Sequence, residues 1–135
     1  MARALLFFVP QMAKNVLIVD DDGDLRRIFA KVLQSRGYET SEAASGHEAI
    51  ETAIAKKPNL ILLDLNLPDM KGTDAARAIR KHPRTAHIPI IASSAYTAAE
   101  LRQEVLRLGI TEYLQKPFSV RGIVTIIEQL ILSEP

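Results

Sequence analysis

Residues 60–72 read LILLDLNLPDMKG: four aliphatic side chains in succession, an aspartate, and then turn-forming residues up to a glycine. A strand with one wet face alternates apolar and polar residues, whereas a parallel strand covered on both faces is apolar nearly throughout. The run at 60–63 is of the second kind, as are VLIV at 16–19 and IPIIA at 88–92. Two more mixed runs, 38–43 and 113–115, fit strands nearer the sheet edges.

Between these runs the apolar residues recur with helical period. Leu25, Ile28, Phe29, Val32 and Leu33 share one face, with a stop predicted near Gly37. Ala49, Ile50, Ala53 and Ile54 form the next stripe, closed before Pro58, and Ala75, Ala76 and Ile79 a third, closed before Pro83. Leu101, Val105 and Leu108 precede Gly109, and Val120, Ile123, Val124, Ile127 and Leu130 complete the set. Capping boxes open two of these helices, Ser45-Gly-His-Glu48 and Thr97-Ala-Ala-Glu100. Five successive βα units predict a doubly wound, flavodoxin-like α/β sandwich with right-handed crossovers and a parallel sheet ordered 2-1-3-4-5.

The chain of 135 residues is the size of one domain, and 47% apolar residues suffice for a packed core. A net charge of +1 with both signs mixed gives no pointer to nucleic acid or an acidic membrane. The absence of cysteine excludes disulfides and thiolate metal sites and fits a reducing compartment. ALLFFV at 4–9 is too short for a membrane span, which needs about 20 apolar residues. It also lacks the small-x-small cleavage site of a signal peptide. Residues 1–13 are therefore read as an N-terminal extension without an assigned role, and 14–133 as the folded domain. If the extension packs, residues 5–8 should cover an apolar patch on the domain or on a partner subunit.

In doubly wound sheets ligands bind beyond the carboxyl ends of the strands, where the winding reverses. Here that point lies between the first and third strands, which end in Asp20, Asp21 and Asp22 and in Asp64. The fourth strand ends in Ser93 and Ser94, and the fifth at Lys116 and Pro117. Crowded carboxylates repel unless a cation intervenes, and an all-oxygen set suits a hard ion such as Mg²⁺. Beside such an ion a carboxylate can attack phosphorus, while Lys116 and a serine hydroxyl offer charge and a proton donor to phosphoryl oxygens. Taken singly, each signal has a plainer reading as loop, cap or turn chemistry. Their agreement at one edge of one sheet favours a phosphoryl-transfer site.

VLIVDDDGDLRR, LILLDLNLPDMKG, IPIIASSA and YLQKPF, in this order and spacing, resemble the four signature stretches of bacterial two-component response-regulator receiver domains. The resemblance covers about residues 14–132 and implies specific roles. Asp64 would be the phosphorylated aspartate. Asp21 would bind Mg²⁺ directly, Asp20 largely through water, and Asn66 through its backbone carbonyl. Ser94, in a place more often held by threonine, would swing to the phosphoryl group; its neighbour Ser93 is the less favoured candidate. Tyr113 would turn inward with Ser94, and Lys116 would be the conserved lysine, with a cis bond to Pro117. Asn66 and Tyr96 stand where the family tunes dephosphorylation.

The family likeness implies a cytoplasmic binding switch rather than an enzyme. A histidine kinase or histidine phosphotransfer protein would donate to Asp64. The fourth helix, fifth strand and fifth helix would present the face that meets a downstream target protein, the chain acting as a monomer or a phosphorylation-dependent dimer, without contact to nucleic acid. The few residues after the fifth helix favour a stand-alone, chemotaxis-regulator-like receiver, or one separated from a larger regulator or hybrid kinase. Asp20-Asp21-Asp22-Gly23 also resembles the opening of haloacid-dehalogenase-type phosphatases, but Asp24 stands where that family has threonine. An EF-hand reading of Asp20, Asp22 and Asp24 fails at Leu25 and Lys31. His47, His82 and His87 have no metal-ligand spacing and are expected to be surface residues away from the strand ends.

Overall fold

The computed structural model describes residues 13–95 and 99–132. The expectations for residues 5–8, for Tyr96 and for the capping box at Thr97 lie outside them. Five strands, β1 (Asn15–Val19), β2 (Glu39–Ala43), β3 (Leu60–Asp64), β4 (Ile90–Ser94) and β5 (Glu112–Gln115), form one parallel sheet in the order β2-β1-β3-β4-β5. They alternate with α1 (Gly23–Ser35), α2 (Gly46–Lys56), α3 (Gly72–Lys81), α4 (Ala99–Arg107) and α5 (Val120–Leu132). The predicted architecture and strand order are both present.

Every residue of β3 and β4 is buried, whereas the outermost strands β2 and β5 are largely half-buried or exposed. Because side chains alternate across a strand, the central strands divide their aliphatic residues between two cores. Leu17, Val19, Ile61, Leu63, Ile90 and Ala92 pack with Ala49 and Ala53 of α2, Ala76 and Ile79 of α3 and Val105 of α4. Val16, Ile18, Leu60, Leu62 and Ile91 pack with Phe29 and Leu33 of α1 and with Ile123, Val124 and Ile127 of α5. Ile28, assigned to the buried stripe of α1, is instead 49% exposed, because it sits at the margin of that stripe.

The fourth strand starts two residues later than predicted. Ile88 is buried, yet its N–H goes to Thr85 O (3.1 Å) in a turn that also joins Thr85 N to His82 O (3.0 Å). Pro89 has no N–H to give a ladder. The strand therefore begins at Ile90 and takes in both Ser93 and Ser94. Arg80 fixes the same region: its guanidinium donates to Ile88 O (2.6 Å) and to Leu108 O (2.8 Å) just past α4. Burial lowers its pKa.

Caps close the helices that carry the site. Asp22 caps α1, its carboxylate accepting from Asp24 N (3.0 Å) and Leu25 N (3.2 Å). Ser45 caps α2 through Glu48 N (3.2 Å), and Glu48 reaches back to Ala44 N (2.7 Å), one residue before the expected reciprocal partner. Gly37 and Gly109 adopt positive φ after α1 and α4, at 91° and 65°, where glycine carries no steric penalty.

Gly72 opens α3 against the end of β3. A Cβ there would lie 2.4 Å from Leu65 Cα and 2.8 Å from Asp64 O, both backbone atoms that cannot step aside. Gly72→Ala should lower unfolding free energy by about 1–3 kcal/mol in denaturant titrations, the usual range for overpacking. Gly46→Ala should lower it by less, since the intruding group there is the flexible side chain of Met70.

Candidate functional site

The carboxyl ends of β1, β3 and β5 bring Asp20, Asp21, Asp64 and Lys116 to one place. Asp64, the last residue of β3, is 2% exposed, and Asp20, just past β1, is 6% exposed. Their carboxylates and that of the exposed Asp21 each present an oxygen within 4.8 Å of the others. Lys116, just past β5, reaches both buried acids: Nζ donates to Asp64 Oδ2 (3.0 Å) and to Asp20 Oδ2 (3.4 Å). The following Lys116–Pro117 bond is cis, as the resemblance implied.

The backbone orients both buried acids. Asp64 Oδ1 accepts from Asn66 N (2.9 Å), and Asp20 Oδ1 accepts from Asp22 N (2.9 Å). Arg26 of α1 donates to the Asp20 carbonyl (2.6 Å) and to Glu42 of β2 (3.1 Å), steadying the turn after β1. Burial pushes the Asp20 carboxyl above its ordinary value; the Asp22 amide opposes this, and the charge of Asp64 adds to it. For Lys116, burial alone would lower the pKa, but the hydrogen bond to Asp64 and the charges of Asp64 and Asp20 prevail, and the ammonium is held above its ordinary value.

Ser94 and Ser93 divide as the pleat of β4 requires. Ser93 pairs in register with Asp64. Ser94 Oγ donates to Asn66 Oδ1 (3.2 Å), which also accepts from Ala95 N (3.4 Å). Ser94 thus opens onto a cavity of about 310 Å³ between the β3–α3 connection and α4, with Asn66, Thr73, Leu101 and Glu104 in its walls. Tyr113 of β5 is half-buried against the α4 side, and the Arg102 guanidinium lies 5.9 Å from its ring centre.

Asp22 and Asp24, given no metal role in the sequence reading, serve the start of α1: Asp22 caps it and Asp24 pairs with Arg27. The opening that resembled the phosphatase motif is therefore partly helix-start chemistry. His47 is a surface residue, as expected, and at the start of α2 its Nδ1 lies 2.5 Å from Asp69 of the β3–α3 connection. His82 accepts from Arg84 N (3.1 Å) in the turn after α3, and His87 is exposed. Neither Asp69 nor Arg80 announced itself in the sequence, because an acid in a turn and an arginine on a helix are ordinary surface residues until the fold supplies their partners.

The cluster fits a hard divalent cation. It offers three carboxylate oxygens and no nitrogen or sulfur donor, the set that a hard ion such as Mg²⁺ prefers, and leaves Asp21 exposed to solvent. Among the described residues no helix is long and apolar enough to cross a membrane.

Comparison with known proteins gives the same picture. Residues 16–128 match the family model of the response regulator receiver domain. The phosphate regulon transcriptional regulatory protein PhoB of Pseudomonas aeruginosa is 35% identical over 120 residues, covering 89% of this chain and 52% of that protein. The chain thus spans about half the length of the curated relatives it matches. A CheY-like response regulator receiver domain protein from Methanospirillum hungatei superposes with a TM-score of 0.81 at 30% identity, covering 89% of this chain and 94% of that one. The receiver domain of sensor histidine kinase PA1611 from Pseudomonas aeruginosa, solved with a magnesium ion coordinated in its active-site cleft, has a TM-score of 0.79 at 30% identity. That match covers 90% of this chain and 100% of the other.

A carboxyl that titrates higher in the folded than in the unfolded state contributes stability below its unfolded pKa, which is lost as pH rises through the folded value. Asp20→Asn should therefore raise the metal-free melting temperature at neutral pH by on the order of a few degrees. It should also flatten the fall in stability that the parent undergoes above about pH 4, near the ordinary aspartate pKa. Thermal unfolding in chelator from pH 4 to 8 measures both effects.

Proposed function

This chain belongs to the response regulator receiver domain family, and on that premise we propose that it is a phosphoacceptor switch in which Asp64 takes a phosphoryl group from a phosphohistidine. The observation that carries the reading is the meeting of Asp20 and Asp21 after β1, Asp64 at the end of β3 and Lys116 after β5 at one sheet edge. An Asp64 oxygen attacks phosphorus, the P–N bond to the donor imidazole breaks, and the bond electrons leave with the imidazole. Asp20, Asp21, Asp64 and the backbone carbonyl of Asn66 would hold Mg²⁺. When bound, that ion supplies charge neutralisation for the phosphoryl oxygens.

This chain's own residues do the rest. The Asn66 amide holds one Asp64 oxygen in place, so the carboxylate meets the donor in a fixed orientation. Lys116, already on the other oxygen, follows the charge as it spreads onto the phosphoryl group. Ser94 gives up its bond to Asn66 to donate to the new phosphoryl group, and Tyr113 moves into the space beside β4. The change biases the face formed by α4, β5 and α5, where a target protein binds or a second copy pairs. Donor and target are a histidine kinase or phosphotransfer protein and a downstream protein, met in the cytoplasm. Asp64 is modified once per donor rather than turning over a substrate. That the chain matches half of its curated relatives favours, as a second reading, a receiver module of a larger regulator.

Intact mass after incubation with Mg²⁺ and a small phosphodonor should rise by one phosphoryl group in the parent, and not with chelator or in Asp64→Asn. A parent that gains nothing in mass and also fails to bind beryllofluoride sinks the reading. Ser94→Ala should still gain the phosphoryl group, while its β5 and α4 amide resonances move far less than the parent's on modification.

A further inference from the structure

The segment between β3 and α3 carries Asn66, whose backbone carbonyl would hold Mg²⁺ in the function proposed above. Within the segment, Gly72 N donates to Leu65 O (3.0 Å), and Asn66 bridges to Lys71. A further restraint comes from α2. Both oxygens of Asp69 are engaged there: Oδ1 accepts from Gly46 N (2.7 Å), and Oδ2 accepts from His47 N (3.0 Å) and lies 2.5 Å from His47 Nδ1. Met70 fills the space above Gly46, where a Cβ would lie 2.4 Å from Met70 Cγ.

A helix leaves its first amides without internal partners, and a local cap reaches only some of them. Ser45 serves Glu48 N, and Asp69 serves the two amides that Ser45 does not, Gly46 N and His47 N. A carboxylate is the favoured group at this positive helix end. The Gly46 and His47 amides hold the Asp69 carboxyl well below the usual carboxylate range, so the mooring stays charged at physiological pH. Three residues before Asp69 in the same segment, Asn66 N fixes Asp64 and its side chain holds Ser94. The segment is thereby pinned at one end by the acceptor and in its middle by α2.

We propose that Asp69 is a positioning residue for metal-assisted phosphorylation, mooring residues 66–71 to the start of α2 so that the Asn66 carbonyl stays at the Asp20, Asp21 and Asp64 cluster. The inference rests on the phosphoacceptor reading above. His47 reinforces the mooring through its imidazole but is secondary, because the two backbone bonds remain without it.

Calorimetric titration of the metal-free protein with Mg²⁺, beside melting curves, tests the idea. Asp69→Ala should weaken Mg²⁺ binding about tenfold, the low end for groups that orient a metal's ligands. It should also slow phosphoryl gain from a small donor and shift the Asn66 amide resonance. Asp69→Asn, which keeps one acceptor oxygen for an amide, should fall between it and the parent, and His47→Ala should bind Mg²⁺ like the parent. Parent-like Mg²⁺ affinity in Asp69→Ala overturns the proposal even if its melting temperature falls, since the residue would then be structural alone. If Asp69→Ala does not fold, Asp69→Asn decides on the same criterion. A parent that binds no Mg²⁺ overturns the phosphoacceptor reading and this proposal together, and so is told apart from failure of the variant alone.

Discussion

Two carboxylates nearly out of contact with water, Asp20 and Asp64, face one ammonium, Lys116, at 3.4 and 3.0 Å. Buried charges are tolerated only when paired, and removing one partner leaves the other stranded. Here a single cation serves two anions. The acids come from the ends of β1 and β3, while the lysine comes from the end of β5, so its side chain spans the end of β4 to reach them. The edge of the sheet is thus drawn together by a charge set that remains under-neutralised, with Asp21 adding a third negative group. A site held this way is poised to take up a cation, and it gives up stability in its absence.

Most of the architecture was legible because the central strands carry unbroken aliphatic runs and their helices carry clear stripes. Where the reading slipped, local chemistry had overruled hydrophobicity. Ile88 is as apolar and as buried as a strand residue, but its amide belongs to a turn and Pro89 has none to offer. Ile28 fits the helical period and still faces water, since the stripe on α1 is narrower than the pattern of apolar residues. Burial depends on what lies opposite, and a sequence does not list its own neighbours.

The site divides along the same line. Asp64, Asp20, Asp21, Ser94 and Lys116 were legible because strand ends are predictable and the topology then places them together. Asp69 and Arg80 were not. Each spends its charge on backbone groups of a distant segment, Asp69 on amides 22 and 23 positions away and Arg80 on the carbonyl of Leu108, 28 away. Nothing in the local sequence distinguishes such a residue from a solvated one. The visible acids do the chemistry in the proposed mechanism, whereas these two fix the loops and helix ends around it.

Among the described residues β2 and β5 each have a strand neighbour on one side only, so each leaves a row of backbone donors and acceptors facing outward. Such a row is a template on which a second chain can add a strand. Both rims are short and acidic: β2 carries the exposed Glu39 and Glu42, and β5 carries the exposed Glu112. Two molecules meeting rim to rim would set carboxylate against carboxylate over only four or five residues. The fold therefore guards its aliphatic interior against fibre-like growth.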